Sequence, residues 1–128
     1  MKKSHKIIYW IATIWLALGM LSGGIFQLLQ VKASVDGIMH LGYPAYFVSL
    51  LGVWKIFGVI ALLVPGFPIV KEWAYAGFFF AMSGAVISHI ISGDGMAQIF
   101  PSLFAVILTV ISWYFRPANR RVSIASVA

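Results

Sequence analysis

Four long apolar stretches alternate with short polar breaks along the chain. They run from about Ile7 to Leu29, Pro44 to Val64, Trp73 to Ile91 and Ile99 to Phe115. Each is near the roughly 20 residues a helix needs to cross about 30 Å of hydrocarbon. Backbone groups in lipid must satisfy one another, so continuous apolar runs of this length predict helices. The two-residue alternation of a membrane β-barrel is absent. The breaks carry turn chemistry. Pro65-Gly66-Phe67-Pro68 ends the second run, Ser92-Gly93-Asp94-Gly95 the third, and Arg116-Pro117 the fourth. Asp36-Gly37 and Gly42-Tyr43-Pro44 punctuate the first loop. The pattern predicts an all-α, integral membrane four-helix bundle: one four-span domain over residues 1–128 with no linker or internal repeat.

Composition strengthens this reading. Of 128 residues, 62% are hydrophobic and only 9% charged, against about 25% charged in a soluble domain. Too little polar surface exists to coat a soluble core, so the solvent along most of the chain is lipid. The net charge of +6 would suggest nucleic acid on a soluble protein. Here the basic residues cluster at the chain ends and in one loop, so they read as topology signals, with no nucleic-acid partner expected. Lys2, Lys3, Lys6, Lys71, Arg116, Arg120 and Arg121 fall on one side of an even number of spans, and Lys32 falls on the other. By the positive-inside rule both termini are cytoplasmic. Tyr9, Trp10, Tyr43, Tyr46, Trp73, Tyr75, Trp113 and Tyr114 lie near span ends as an aromatic belt. The first run competes with a signal peptide, but it exceeds that peptide's core of about 7–15 residues and reads as an uncleaved span.

Small and polar residues recur at helical spacing. Gly19, Gly23, Gln27 and Gln30 share a face of the first span, Gly52, Lys55 and Val59 one of the second, and Gly58 lies beside it. Gly77, Ala81, Gly84 and Ser88 line the third, and Ser102, Ala105, Thr109 and Ser112 the fourth. These stripes read as packing faces, because small residues let helices approach closely in lipid. Lys55 is different. It lies eleven residues beyond Pro44, roughly 16 Å into the membrane, where charged groups face a bundle interior and mark function. Cβ bonds tilt toward a helix's N-terminus. Lys55 therefore leans outward, while Gln27 and His89, on oppositely directed spans, lean inward toward it. Asp94, Asp36 and His40 sit in the outer loops above. The expectation is a polar pocket beneath the outer surface built from Lys55, His89, Asp94 and Gln27, with Asp94 or Asp36 available as counter-charge. The alternative is a lysine that snorkels.

Catalytic signatures are missing. There are no cysteines, no G-x-S-x-G, no phosphate-binding loop and no H-E-x-x-H. No metal is expected, and two outer histidines do not make a four-helix haem pattern. Glu72 reads as a first-turn acid favoured by the helix dipole.

Leu21-Ser22-Gly23, Leu51-Gly52-Val53-Trp54-Lys55-Ile56-Phe57-Gly58, Pro65 through Gly77, and Ser88-His89 followed by Gly93-Asp94 resemble the DoxX-like family of small bacterial membrane proteins. The resemblance runs from about Trp15 to Arg121, with Met82 standing where many members have a polar residue. It implies a four-helix membrane bundle. The wider group includes subunits associated with thiosulfate oxidation and quinone reduction, and factors that help other proteins mature. Three functions follow as expectations. The first is a non-catalytic subunit or assembly factor, working with a membrane protein partner or a second copy. The second is a quinone-linked redox component holding an apolar ligand near Lys55 and His89, with electrons supplied by a partner. The third is a small proton-coupled transporter with Lys55 as the titrating charge.

Overall fold

The computed structural model describes residues 2–121. The chain is all-α: α1 Lys3–Leu28, α2 Lys32–His40, α3 Ala45–Leu63, α4 Pro68–Ile91 and α5 Met96–Tyr114, followed by a short 3₁₀ turn, Ala118–Arg120. α1, α3, α4 and α5 are long and apolar enough to cross a membrane. They form a ring in which α1 and α4 each pack against both α3 and α5.

The breaks act as their chemistry dictates, with two differences. Gly66 (φ 81°) and Phe67 (φ 54°) both adopt left-handed backbone between Pro65 and Pro68. That reversal lets Pro68 open α4 at its first turn, where its missing N–H costs nothing. α4 thus starts five residues before Trp73, the expected start of that span, and Glu72 sits beyond the first turn. The first loop also folds into α2, so Asp36-Gly37, read as punctuation, lies inside a helix.

One end of the ring gathers the start of α1, the α3–α4 turn and the segment after α5. It is the basic end. There α3 stops at Pro65 with four carbonyls lacking helical donors. Lys71 donates from Nζ to the Ala61 carbonyl (2.8 Å) and to that of Val64. Arg120 donates to Leu62 (2.8 Å) and Leu63 (3.3 Å). Two cations thus cap the negative end of the helix dipole. Lys71 is only 1% exposed, and the Arg120 guanidinium also covers the Trp10 ring at 4.9 Å. Both had been read only as topology charges. Glu72 pairs with Arg116 (2.9 Å) and accepts from Trp113 Nε1 (2.9 Å), tying α4 to α5.

The core occupies the half of the bundle next to this end. Leu16, Ala17, Met20, Val59, Leu62, Tyr75 and Phe78 pack together. Beside them Ser112 shares hydrogen bonds with Thr13 (2.6 Å) and Tyr75 (2.8 Å), joining α1, α4 and α5. Tyr9 and Tyr75, expected in the aromatic belt, are buried here instead.

Candidate functional site

The opposite half is hollow. A cavity of about 1050 Å³ lies between all four long helices and reaches up to Ile38, Leu41 and Tyr43 at the far end. In this region α1 and α3 come into close contact at glycines. A Cβ on Gly52 would lie 2.7 Å from the Gly24 carbonyl oxygen and 3.0 Å from the Leu28 nitrogen, so only glycine allows the two backbones to meet. The stripe read as the packing face of α4 does the reverse. Gly77 and Gly84 line the cavity, as does Gly19 of α1, and a Cβ on any of the three would touch nothing within 4 Å. Their missing side chains make room within the bundle.

Lys55, Gln27 and His89 all line this cavity. Lys55 passes over the α1 glycines: a Cβ on Gly23 would lie 3.6 Å from its Nζ. Among the described residues Lys55 makes no hydrogen bond and no ion pair. A charge at this depth costs about 2.5–3.5 kcal/mol on insertion scales, and no described residue supplies a counter-charge to offset it. Gln27 is 6% exposed, and its Oε1 is buried without a hydrogen-bond partner. Two polar groups therefore face an apolar space with unused capacity.

Asp94 does not line the cavity, and it does not serve Lys55. Its carboxylate accepts from His89 Nδ1 (2.7 Å) and His40 Nε2 (2.9 Å). The hydrogen bonds from His89 and then His40 hold its carboxyl below the usual carboxylate range. A carboxylate only accepts, so His89 carries a proton on Nδ1 and His40 one on Nε2. Gly93 (φ 76°) makes the turn that brings Asp94 back over α4, where its N–H reaches the His89 carbonyl at 2.9 Å. Together with Tyr43–Ser88 (3.0 Å), the carboxylate pins α2 and the segment after it across the top of the cavity. We call this the histidine end. Asp36, the other acid considered for Lys55, lies on α2 away from the cavity lining.

The direction of the Cβ bonds was enough to bring Lys55, Gln27 and His89 to one place. Sequence reasoning missed the roof. The signal available was α2 itself, whose residues Val35, Ile38 and Met39 recur at helical spacing between Lys32 and His40.

Comparison with known proteins agrees with the architecture. An uncharacterized protein, YdgD, from Bacillus subtilis (strain 168) is 32% identical over 78 residues, covering 58% of this chain and 66% of its own length. The chain thus spans just under two thirds of that relative. No solved structure matches. The model of the DoxX-like family matches residues 11–112, which takes in α3, α4, most of α1 and α5, and every residue that lines the cavity. With its four apolar helices, this chain is a multi-pass membrane protein and belongs to the DoxX-like family.

Proposed function

We propose that this protein is a non-catalytic membrane subunit that holds a small amphiphilic molecule, its polar head against Lys55 and Gln27 in the hollow half of the bundle. One observation carries the reading: a lysine amine and an amide oxygen, neither with a partner among the described residues, face a mostly apolar cavity of about 1050 Å³. Ligand sites have this character, with mostly apolar walls, a few convergent polar groups and volumes of roughly 300–1,000 Å³. Most helix faces are apolar and exposed, so the bilayer surrounds them. The concentration of basic residues at one end supports cytoplasmic termini in a bacterial cytoplasmic membrane. The histidine end and the cavity then belong to the outer leaflet.

A quinone-type head is a second reading of the same site. Lys55 and the Gln27 amide would donate to a ring carbonyl, and the apolar walls would hold a prenyl tail. Proton-coupled transport has less support, because the packed core closes the cavity toward the basic end.

Native mass spectrometry of protein released from mild detergent tests the proposal. The expected result is a bound small molecule, lost in Lys55→Met. A bare chain or bare oligomer under every release condition would overturn it and direct the search to protein partners.

A further inference from the structure

We infer that the ligand is a single-chain carboxylate amphiphile that reaches Lys55 sideways from the bilayer, through a slot between α3 and α4. This rests on the ligand-holding reading above and adds the charge of the head and the path of the tail.

The path comes from a second cavity. A space of about 510 Å³ lies against α3 and α4, bounded by Phe57, Gly58 and Ala61 on one side and Val70, Trp73 and Ala74 on the other. It shares Leu51, Trp54, Lys55, Gly77 and Ala81 with the large cavity, so the two spaces meet along the Lys55 side chain. Among the four long helices, α3 and α4 are the most loosely packed neighbouring pair. Trp54, Phe57, Trp73 and Phe80 stand exposed around the opening. The floor is firm: a Cβ on Gly58 would lie 2.5 Å from the Phe78 ring, so ring and glycine interlock where the packed core begins. A slot opening on the flank of a membrane-spanning helix pair faces acyl chains. What passes through it comes from the lipid phase. One slot leading to one head site accommodates one chain.

The charge comes from the inventory of acids. The chain has three. Glu72 is held by Arg116 and Trp113 at the basic end, and Asp94 by His89 and His40 above the cavity. Asp36 is on α2, and no acid lines either space. Among the described residues Lys55 is the only lysine or arginine lining them, and it is unpaired. A carboxylate head supplies the missing charge and accepts from Nζ.

Photolabelling tests both parts. The protein is placed in nanodiscs of zwitterionic lipid with a long-chain fatty acid bearing a diazirine at its tail end. Unlabelled fatty acid, its methyl ester and two-chain phosphatidic acid serve as competitors. The expected outcome is labelled peptide from the slot walls, residues 57–78, displaced by the acid at least about tenfold more effectively than by the ester or by phosphatidic acid. Lys55→Met should abolish the preference for acid over ester, and Lys55→Arg should keep it. Gly77→Phe, which builds into open space at the junction, should abolish the slot labelling with Lys55 intact. Equal competition by acid and ester would overturn the charged head, and equal competition by phosphatidic acid the single chain. Competable label outside the slot would overturn the path. Each of these leaves the ligand-holding reading standing if the mass spectrum still shows a bound molecule. Absence of competable label together with a bare mass spectrum overturns both.

Discussion

The packed half and the hollow half of this bundle are made by the same four helices, and the same residue types serve opposite ends in each. Toward the basic end, Gly58 admits the Phe78 ring. Toward the histidine end, Gly77 and Gly84 face empty space. Toward the basic end, a buried lysine, Lys71, has two carbonyls to donate to. Toward the histidine end, a membrane-embedded lysine, Lys55, has none. In lipid, where no hydrophobic force drives helices together, contact must come from packing and hydrogen bonds. The protein concentrates packing in one half and leaves the other open, held by the α1–α3 crossing at Gly24 and Gly52 and by the hydrogen-bonded roof.

Four substitutions test this contrast. The largest effect is expected from Lys71→Met, which strips the donor from the carbonyls of Ala61 and Val64 at a buried helix end. The expected loss is about 3 kcal/mol in a detergent unfolding titration. A loss no greater than that of a surface lysine would refute the capping role. Gly52→Ala comes next. Its Cβ would meet backbone atoms, the Gly24 oxygen and the Leu28 nitrogen, which cannot swing aside as a side chain can. We expect about 2 kcal/mol of destabilisation, and a neutral result would show that the crossing is not tight. The same substitution in the hollow half should reverse sign. Gly77→Ala and Gly84→Ala add a methyl to open space and improve helix propensity, so each should leave stability unchanged or raise it by up to about 1 kcal/mol. A clear loss at both would mean that these faces are packed.

The smallest effect concerns the roof. The hydrogen bonds from His89 and His40 lower the folded Asp94 carboxyl relative to its unfolded value. Its contribution is therefore complete above the ordinary aspartate value of about 3.9 and is lost as the pH falls through the lower folded value. Amide exchange in α2 should quicken below about pH 4 in the wild type. In Asp94→Asn it should be fast already at neutral pH. Identical α2 exchange in the two proteins would show that the carboxylate does not pin the roof.

The sequence already carried much of this molecule. Apolar run length placed four helices, and the tilt of Cβ bonds along antiparallel spans brought Lys55, Gln27 and His89 together. Other features were ambiguous for physical reasons. A glycine stripe looks the same in sequence whether it lets a helix in or keeps a space open, so the face of α4 was read as packing. A basic residue near a helix end looks the same whether it snorkels to water or caps another helix, so Lys71 and Arg120 were counted only toward orientation. Asp94 is held by His89 and His40 and not by Lys55, because the turn at Gly93 brings its carboxylate back over α4 beside the two imidazoles. Tyr9 and Tyr75 sit at span ends by number yet turn inward, the latter toward Ser112, which residue position alone does not reveal.

The cap on α3 also has a consequence for biosynthesis. Arg120 emerges from the ribosome 58 residues after the carbonyl of Leu62 that it satisfies. α3 can enter the membrane early, but its last turn stays chemically unfinished until translation has passed the fourth span. A message truncated between Tyr114 and Arg120 would yield all four spans and still leave two carbonyls of α3 bare. Membrane quality-control proteases could recognise such a chain by its second span, far from the point at which synthesis stopped.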